Sequence, residues 1–200
     1  MTQKETFANL VKRSRSVRRY QEDKDIPKEI LLELVEAART VPSAGNRQPT
    51  RFIIVNDKNL NKGIFASLRW LGYLAEDMGP GVGERPNAYI IIVSDFTIKN
   101  ASIQFDAGIA AQTIVLGANY HGIGCCIIGA ADATKIRNLL NIGSQYNGMM
   151  VIALGYPVEK VVIEESKDST DVKYWRDENK VHHVPKLPLD QVLVGTYFSD

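Results

Sequence analysis

A basic segment near the N-terminus is the first feature whose residue types could do chemistry. Five basic side chains fall between Lys12 and Arg19, with two serines among them. Guanidinium forks and hydroxyl donors suit a phosphate monoester. A solvated helix end, with its charges met by Glu22, Asp23 and Asp25, accounts for the same pattern. The spacing alone leaves both interpretations open.

Glycines surround the two cysteines between Gly122 and Gly129. The third glycine is misplaced for a dinucleotide fingerprint, and the segment leaves a helix and enters a strand, the reverse of the Rossmann order. Such glycines let a backbone approach a flat ligand closely, or end a helix. Cys125 and Cys126 are adjacent, so the sequence contains no CxxC motif and no disulfide framework. We expect both cysteines to act as small apolar residues.

Other catalytic or metal-binding patterns are missing from the sequence. It contains no P-loop, nucleophile elbow or HExxH motif. His182 and His183 have no neighbouring cysteine or acidic ligands, which favours a surface pair over a metal site. We therefore expect no bound metal.

The composition excludes several classes of partner. The 24 basic and 23 acidic side chains leave a formal charge of +1, and the basic segment has no second cluster or interleaved aromatics. Neither nucleic acid nor an anionic membrane is therefore favoured. The first residues lack the apolar core of a signal peptide, and no apolar run is long enough to span a bilayer. We expect a cytoplasmic protein with a single domain over residues 1–200.

The hydrophobic pattern predicts the elements that must position these residues. Helical spacing and turn residues indicate alternating helices, loops and strands in the core. The predicted helices are a short basic one, Ile30 to Val41, Leu60 to Leu74, Ser102 to His121, and Asp132 to Leu140; the predicted strands are Phe52 to Val55, Tyr89 to Val93, Cys125 to Ile128, and Met149 to Leu154.

Two segments look incomplete within one small domain. The helix from Ser102 to His121 is apolar nearly all round and rich in small residues, so it must be buried inside a subunit or between two. Residues 156–200 are polar, charged and punctuated by prolines, which predicts an arm that packs on another surface.

These motifs, taken in order, resemble the flavin-dependent nitroreductase family along nearly the whole chain. Arg15-Ser16-Val17-Arg18-Arg19-Tyr20 is similar to the family's N-terminal phosphate-binding segment. Pro42 to Pro49 resembles the loop that reaches from one subunit to the flavin of the other. Asp106, Ala107, Gln112 and Gly122-Ile123-Gly124 resemble the family's central helix and its exit; Gly155-Tyr156-Pro157 resembles the end of its last core strand; and Val184-Pro185-Lys186 resembles its C-terminal phosphate contact.

The resemblance implies a fold and an activity. The fold is α+β: a mixed, mostly antiparallel sheet flanked by helices in an intertwined homodimer, with residues 156–200 packing on the partner subunit. Two FMN sites at the dimer interface would pass hydride from NADH or NADPH to nitroaromatics, quinones or another small electron-poor oxidant by a ping-pong reaction. The chemistry occurs at N5 of FMN, so no catalytic side chain is implied.

The same resemblance implies which residues hold FMN. Phosphate contacts fall to the N-terminal segment and Lys186, and ring contacts to the loop and to the strand after Gly124. The implied cofactor-binding residues are Arg15, Ser16, Arg18, Pro42, Ser43, Ala44, Asn46, Gln48, Ile127, Ile128, Gly129 and Lys186. Arg69 and Trp70 are candidates for the pyrimidine edge by their place in the chain.

The sequence departs from the family pattern at four positions. Thr50 and Ile127 stand where relatives often have tryptophan, Ser14 where arginine is common, and Leu187 where a second basic residue often follows the lysine. The wall over the flavin therefore differs, and phosphate binding must depend on Arg15, Arg18 and Lys186.

Alternatives to the reductase remain. One is a flavin-binding protein without efficient turnover, for which the replaced tryptophans are the hint. Others are a dehalogenase or a flavin-degrading relative on the same scaffold, or an interaction module that uses the basic segment without a flavin.

Overall fold

The computed structural model describes residues 6–70, 79–99 and 102–199. Its helices are α1 (Phe7–Arg13), α2 (Lys28–Arg39), α3 (Lys58–Phe65), α4 (Ile103–Tyr120), α5 (Ala133–Leu140) and α6 (Leu189–Val192), with a short 3-10 turn at Ala44–Asn46. Its strands are β1 (Thr50–Val55), β2 (Ala88–Asp95), β3 (Gly124–Ile128), β4 (Tyr146–Gly155), β5 (Val161–Glu165), β6 (Trp175–Arg176) and β7 (His182–Lys186).

The central sheet has four strands in the order β1-β2-β4-β3, and every neighbouring pair is antiparallel. Strand β2 lies inside the sheet, and its residues from Ala88 to Ser94 are buried. This continuous burial agrees with the unbroken apolar run of its sequence. The α+β prediction is confirmed.

Helices cover both faces of this sheet. On one face, α2 and α4 pack over side chains such as Ile90, Ile92 and Ile152. On the other face, α3 and α5 contribute Ile64 and Ile136 to a second apolar cluster with alternate residues of the same strands. The alternation of side chains along a strand separates the two clusters.

Helix α3 is shorter than the predicted helix from Leu60 to Leu74. It begins at the N-cap Asp57, whose carboxylate accepts from the N–H groups of Asn59 and Leu60 at 2.9 Å. It ends at Phe65 because the next residues pair with a distant segment: Arg69 N–H donates to Ala130 O at 2.8 Å. Residues 71–74 of the prediction lie outside the described residues.

The predicted arm contains a second, smaller sheet. Its strand order is β5-β7-β6, in which β5 and β7 are parallel and β6 and β7 antiparallel. After it, helix α6 and the following tail expose apolar side chains, among them Val194, Tyr197 and Phe198. Whether this tail packs on a partner subunit stays a prediction.

Helix α4 is buried on one side only in the single chain. Ala110, Ile114 and Ala118 lie in the core, whereas Phe105 is 74% exposed and Ile109 44% exposed. The sequence prediction of burial all round is therefore not met within one subunit. None of the helices in the described parts of the chain has the length and apolar character needed to cross a bilayer.

Candidate functional site

The N-terminal basic segment crosses the ends of strands β3 and β4. Val17 N–H donates to Cys125 O at 2.8 Å, and Gln21 N–H donates to Tyr156 O at 2.8 Å. Val158 N–H donates back to Arg19 O at 3.0 Å. Backbone hydrogen bonds therefore fix residues 16–21 against the sheet.

Two glycines make this close approach possible. A Cβ on Gly124 would lie 3.0 Å from side-chain atoms of Val17. A Cβ on Gly155 would lie 2.7 Å from the side chain of Tyr20, which is fully buried. The Tyr20 hydroxyl donates to Val17 O and closes the segment on itself. The glycines in the Gly122 and Gly155 motifs thus serve the placement of the basic segment.

The small sheet brings the C-terminal lysine to the same place. Lys186 is the last residue of β7, and its carbonyl accepts from Ser166 N–H at 2.8 Å. The pairing of β5 with β7 sets Lys186 opposite Glu165. The lysine is therefore positioned by regular structure rather than by a loose tail.

These two segments enclose a cavity of about 210 Å³, called here the phosphate cavity. It is lined by Ser14, Arg15, Ser16, Arg18, Tyr174, His182, Val184 and Lys186. The predicted phosphate-binding residues of the N-terminal segment, Arg15, Ser16 and Arg18, thus meet the distant Lys186 in one cavity. Ser14 also lines this cavity, and its hydroxyl is used locally, donating to Leu10 O at 2.7 Å.

Among the described residues, no carboxylate pairs with the guanidinium groups of Arg15 and Arg18. Arg15 donates through one terminal nitrogen to Val11 O at 2.8 Å, while its buried Nε has no acceptor among the described residues. Burial lowers the pKa of Arg15, but a guanidinium stays charged in proteins. The Arg18 guanidinium lies 5.5 Å from the centre of the Tyr174 ring. This donor set fits an anionic group with several acceptor oxygens.

Two of the three acidic residues that could have met these charges are engaged elsewhere. The Glu22 carboxylate accepts from the N–H groups of Gly83 at 2.6 Å and Arg85 at 3.2 Å. Asp25 lies 3.6 Å from Lys58. The alternative of a solvated helix end neutralised by these acids is therefore wrong for Glu22 and Asp25.

The loop from Pro42 to Pro49 is held by two backbone-to-side-chain hydrogen bonds and exposes residues 45–48. Ala44 N–H donates to the buried carboxylate of Asp106 at 3.0 Å, and Gln48 N–H donates to the Ser43 hydroxyl at 3.0 Å. Asn46 and Gln48 adopt left-handed backbone conformations, with φ of 53° and 50°. Such conformations cost energy in non-glycine residues and persist where the surroundings hold them. Asn46 and Gln48 are exposed, so the loop presents them outward.

Strand β3 supplies a third group of predicted contacts. Ile127 is 40% exposed and Gly129 is exposed, but Ile128 is buried in the core. Ile128 can therefore offer a ligand its backbone rather than its side chain. Arg69 lies beside this end of the strand because its N–H donates to Ala130 O, and the residue is exposed.

Trp70 does not fit the role of a ring contact. It is 8% exposed and packs on Phe65, with ring centres 5.7 Å apart. Its side chain belongs to the core between α3 and the sheet. Arg69 remains the candidate for the pyrimidine edge.

The predicted site residues thus form three groups in one chain, one of which is the end of β3 from Ile127 to Gly129. The phosphate cavity holds Arg15, Ser16, Arg18 and Lys186. Pro42, Ser43 and Gln48 line a different cavity, with Asp106. The single chain does not bring the loop into the phosphate cavity, and the roles of the individual residues stay predictions.

Sequence reasoning missed Tyr174 and His182 as cavity residues. The expected surface pair of histidines is wrong, because His182 is 1% exposed and its ring lies 4.9 Å from Tyr174. His183 stacks on Trp175 at 4.0 Å and contacts Glu164. The pairing of β7 with both β5 and β6 buries these rings, and no local signal reveals such long-range pairing. No cluster of three His, Cys, Asp or Glu side chains suited to a metal occurs in the described residues.

Comparison with known proteins assigns this arrangement to a family. The sequence matches the profile of the Nitroreductase family over residues 11–78 and 85–156, which include the basic segment, the loop and the central sheet. The chain belongs to the Nitroreductase family.

Individual relatives agree with this assignment. A protein of Methanothermobacter thermautotrophicus, provisionally named NADH dehydrogenase/NAD(P)H nitroreductase, is 31% identical over 74% of this chain and 76% of its own length. The FMN-dependent nitroreductase of Clostridium difficile R20291 is 26% identical, with a TM-score of 0.65 over 82% of this chain and 94% of that one.

The fold is shared over a longer stretch with a third protein. A provisionally named nitroreductase of Desulfovibrio desulfuricans, crystallised in complex with FMN, has a TM-score of 0.69 over 98% of this chain and 100% of that one, at 21% identity. The likeness therefore extends through the small sheet that carries Lys186.

Proposed function

We propose that this protein is an FMN-dependent oxidoreductase that takes hydride from NADH or NADPH and passes it to a nitroaromatic, a quinone or another small electron-poor oxidant. Family membership and the names of its relatives support the general activity. The observation that supports FMN as the cofactor is the phosphate cavity, where Arg15, Ser16, Arg18 and Lys186 meet.

The residues present fit the phosphate of FMN. Two guanidinium groups, one ammonium and one serine hydroxyl offer more donors than a phosphate monoester needs, and the buried Nε of Arg15 has no acceptor among the described residues. An anion with several oxygens would satisfy them. Arg15, Ser16, Arg18 and Lys186 would therefore hold the phosphate.

Other residues would hold the ring. The exposed end of β3, from Ile127 to Gly129, offers backbone groups, and Arg69 lies beside it. A cation placed near the pyrimidine edge stabilises negative charge that develops on a reduced ring. When bound, FMN supplies the hydride-accepting atom, N5, so the protein's own task is to orient the ring and stabilise charge.

We also propose that two subunits build each site. The loop from Pro42 to Pro49 is held by hydrogen bonds to Asp106 and Ser43, exposes residues 45–48, and is separate from the phosphate cavity of its own chain. In a homodimer, the loop of one subunit would reach the ring bound by the other, so Ser43, Ala44, Asn46 and Gln48 would contact the flavin across the interface. The exposed apolar side chains of α4 and the tail support this assembly.

A ping-pong reaction suits such a site. One open face over the ring would receive NADH or NADPH and then, after the nucleotide leaves, the oxidant. No general acid or base is assigned. We place the protein in the cytoplasm, where NADH and NADPH are available.

The absorbance spectrum of the purified protein tests the cofactor directly. We expect flavin absorbance, FMN on release by denaturation, and oxidation of NADH or NADPH that depends on an added quinone or nitroaromatic. Double-reciprocal plots with both substrates varied should give parallel lines. A colourless protein that does not quench the fluorescence of added FMN would overturn the proposal.

A further inference from the structure

A second cavity, of about 170 Å³, lies between helix α3 and the start of strand β2; it is called here the α3 cavity. Among the residues that line it are Asn61 and Phe65 of α3 and Arg85, Asn87 and Tyr89 before and within β2. It shares no lining residue with the phosphate cavity or with the cavity beside the loop.

Four buried polar atoms of this cavity have no hydrogen-bond partner among the described residues. They are Oδ1 of Asn61, Nε of Arg85, Oδ1 of Asn87 and the hydroxyl of Tyr89. Tyr89 is fully buried, and Asn61 and Asn87 are 9% and 8% exposed. Buried polar groups in proteins are nearly always hydrogen-bonded, so four orphans around one cavity indicate an occupant.

The hydrogen bonds of the two amides fix what the occupant must offer. Asn61 Nδ2 donates to Asn87 O at 2.6 Å, and Asn87 Nδ2 donates to Glu22 O at 2.8 Å. Since both acceptors are carbonyls, neither amide can be flipped, and both Oδ1 atoms need donors. Arg85 Nε needs an acceptor. Burial raises the pKa of Tyr89, so its hydroxyl stays protonated and can donate as well.

The charged side chains around the cavity are of both signs, which gives no clear preference for a simple cation or a simple anion. Arg85 and Lys62 disfavour a cation, while Glu22 and the two amide oxygens disfavour an anion. Lys58 is paired with Asp25 at 3.6 Å and adds no net charge. The wall includes the Phe65 ring, over which the Arg85 guanidinium lies at 4.6 Å. A neutral, compact group with both donors and an acceptor is therefore favoured.

We propose that the α3 cavity binds a small neutral ligand through a primary carboxamide or ureido group. Its two N–H bonds donate to Oδ1 of Asn61 and Asn87, and its carbonyl accepts from Nε of Arg85 and the hydroxyl of Tyr89. This arrangement satisfies all four orphaned atoms with one planar group. The cavity shares no lining residue with the phosphate cavity, so its occupant binds in addition to the FMN phosphate that the proposed function places there.

Propionamide and propionate are matched probes, because they share shape and differ in the amide and carboxylate ends. The FMN-loaded protein, labelled with 15N, is titrated with each while backbone amide shifts are recorded. Because propionamide has few non-hydrogen atoms that can contribute to binding, we expect an affinity in the millimolar range. Propionamide should shift amides of residues 58–65 and 85–89 saturably, whereas propionate should not.

Two variants locate the contact. Tyr89→Phe removes a hydroxyl that has no hydrogen-bond partner among the described residues, and should weaken propionamide binding about tenfold, the worth of one hydrogen bond. Tyr146→Phe, in β4 outside the cavity lining, should leave it unchanged. FMN content should be normal in both variants, which separates this proposal from the proposed function.

Three outcomes would overturn the assignment. Equal binding of propionate would show that the cavity does not select an amide. Shifts confined to residues around Arg18 would place the probe elsewhere. The absence of saturable shifts, with ordered water at all four atoms in a crystal structure, would show that the cavity holds water only.

Discussion

Arg18 is held by its backbone, which leaves its charged group available. Its N–H donates to the carboxylate of Glu159, and the other oxygen of that carboxylate lies 2.9 Å from Arg176. The guanidinium of Arg18 rests against Tyr174 instead of pairing with a described carboxylate. Removing the side chain should therefore leave the segment in place and change the charge of the phosphate cavity.

The first prediction concerns this side chain. Arg18→Ala removes a charge-assisted contact to the FMN phosphate, at a cost of about 1.5–3 kcal/mol in binding free energy. FMN should bind roughly ten- to a hundredfold more weakly, and more weakly still at high salt. Excess FMN should restore much of the turnover, since the ring is untouched. Fluorescence quenching of FMN measures the affinity.

Riboflavin and Arg19→Ala provide the controls. Riboflavin lacks the phosphate, so its affinity should hardly differ between wild type and Arg18→Ala. Arg19 lies 2.5 Å from Glu84 and outside the phosphate cavity, so Arg19→Ala should leave FMN affinity unchanged. An equal loss of riboflavin affinity in Arg18→Ala would mean that the residue supports the fold or contacts the ring.

The second prediction concerns the cysteines, which the structure buries as free thiols, as the apolar strand pattern predicts. Burial raises the pKa of both thiols, so neither is a thiolate at neutral pH. The double variant Cys125→Ala/Cys126→Ala should keep FMN and turnover, with a lower melting temperature from the lost packing. A folded, FMN-loaded variant without NADH oxidation would contradict this prediction.

At the scale of elements, the local sequence pattern predicts that a helix or strand forms better than it predicts where that element ends. Helix α5 matches its prediction because Asp132 caps it, accepting from Lys135 N–H at 3.0 Å, and such a cap is a local signal. Helix α3 stops early because residues beyond Phe65 hydrogen-bond to residues 130–132. That pairing joins segments far apart in sequence, so periodicity could not indicate it.

In the candidate site, too, residues in local motifs could be predicted, whereas residues placed by long-range pairing could not. Arg15, Ser16, Arg18 and Lys186 could be named in advance because each belongs to a short motif, and the structure brings them into one cavity. Tyr174 and His182 could not, because the small sheet that places them combines a parallel pair and a two-residue strand. Trp70 was assigned by position alone, and its burial depends on packing with Phe65.

The third prediction tests how elements position the basic segment. Gly155→Ala introduces a Cβ 2.7 Å from the buried Tyr20 side chain, so the segment that carries Arg18 must shift. We expect a loss of about 1–3 kcal/mol in the free energy of unfolding and weaker FMN binding. Gly81→Ala is the matched control, because a Cβ there meets nothing within 4 Å. Urea unfolding and FMN titration measure both effects; equal stability of the two variants would refute the packing argument.

At the scale of the whole molecule, the single chain exposes apolar side chains in two places, on helix α4 and in the C-terminal tail. Phe105 and Ile109 lie exposed on α4, beside the small Gly108, and the tail exposes Val194, Tyr197 and Phe198. Contiguous exposed apolar patches mark interaction surfaces. In the proposed homodimer, a second copy of the chain covers these patches and the loop from Pro42 to Pro49 reaches the flavin of its neighbour.

The last prediction tests this assembly. In a symmetric dimer, Ile109→Glu places a charge in the interface from both subunits, and burying unpaired charge is strongly unfavourable. Wild type should have twice the mass of one chain by light scattering, and the variant the mass of one chain. Since the flavin ring would then lose the partner's loop, FMN affinity should fall in parallel. Val82→Glu, at a loop residue that is 86% exposed, should remain dimeric and bind FMN normally. A monomeric Ile109→Glu protein that binds FMN as tightly as wild type would show that each site is complete within one subunit.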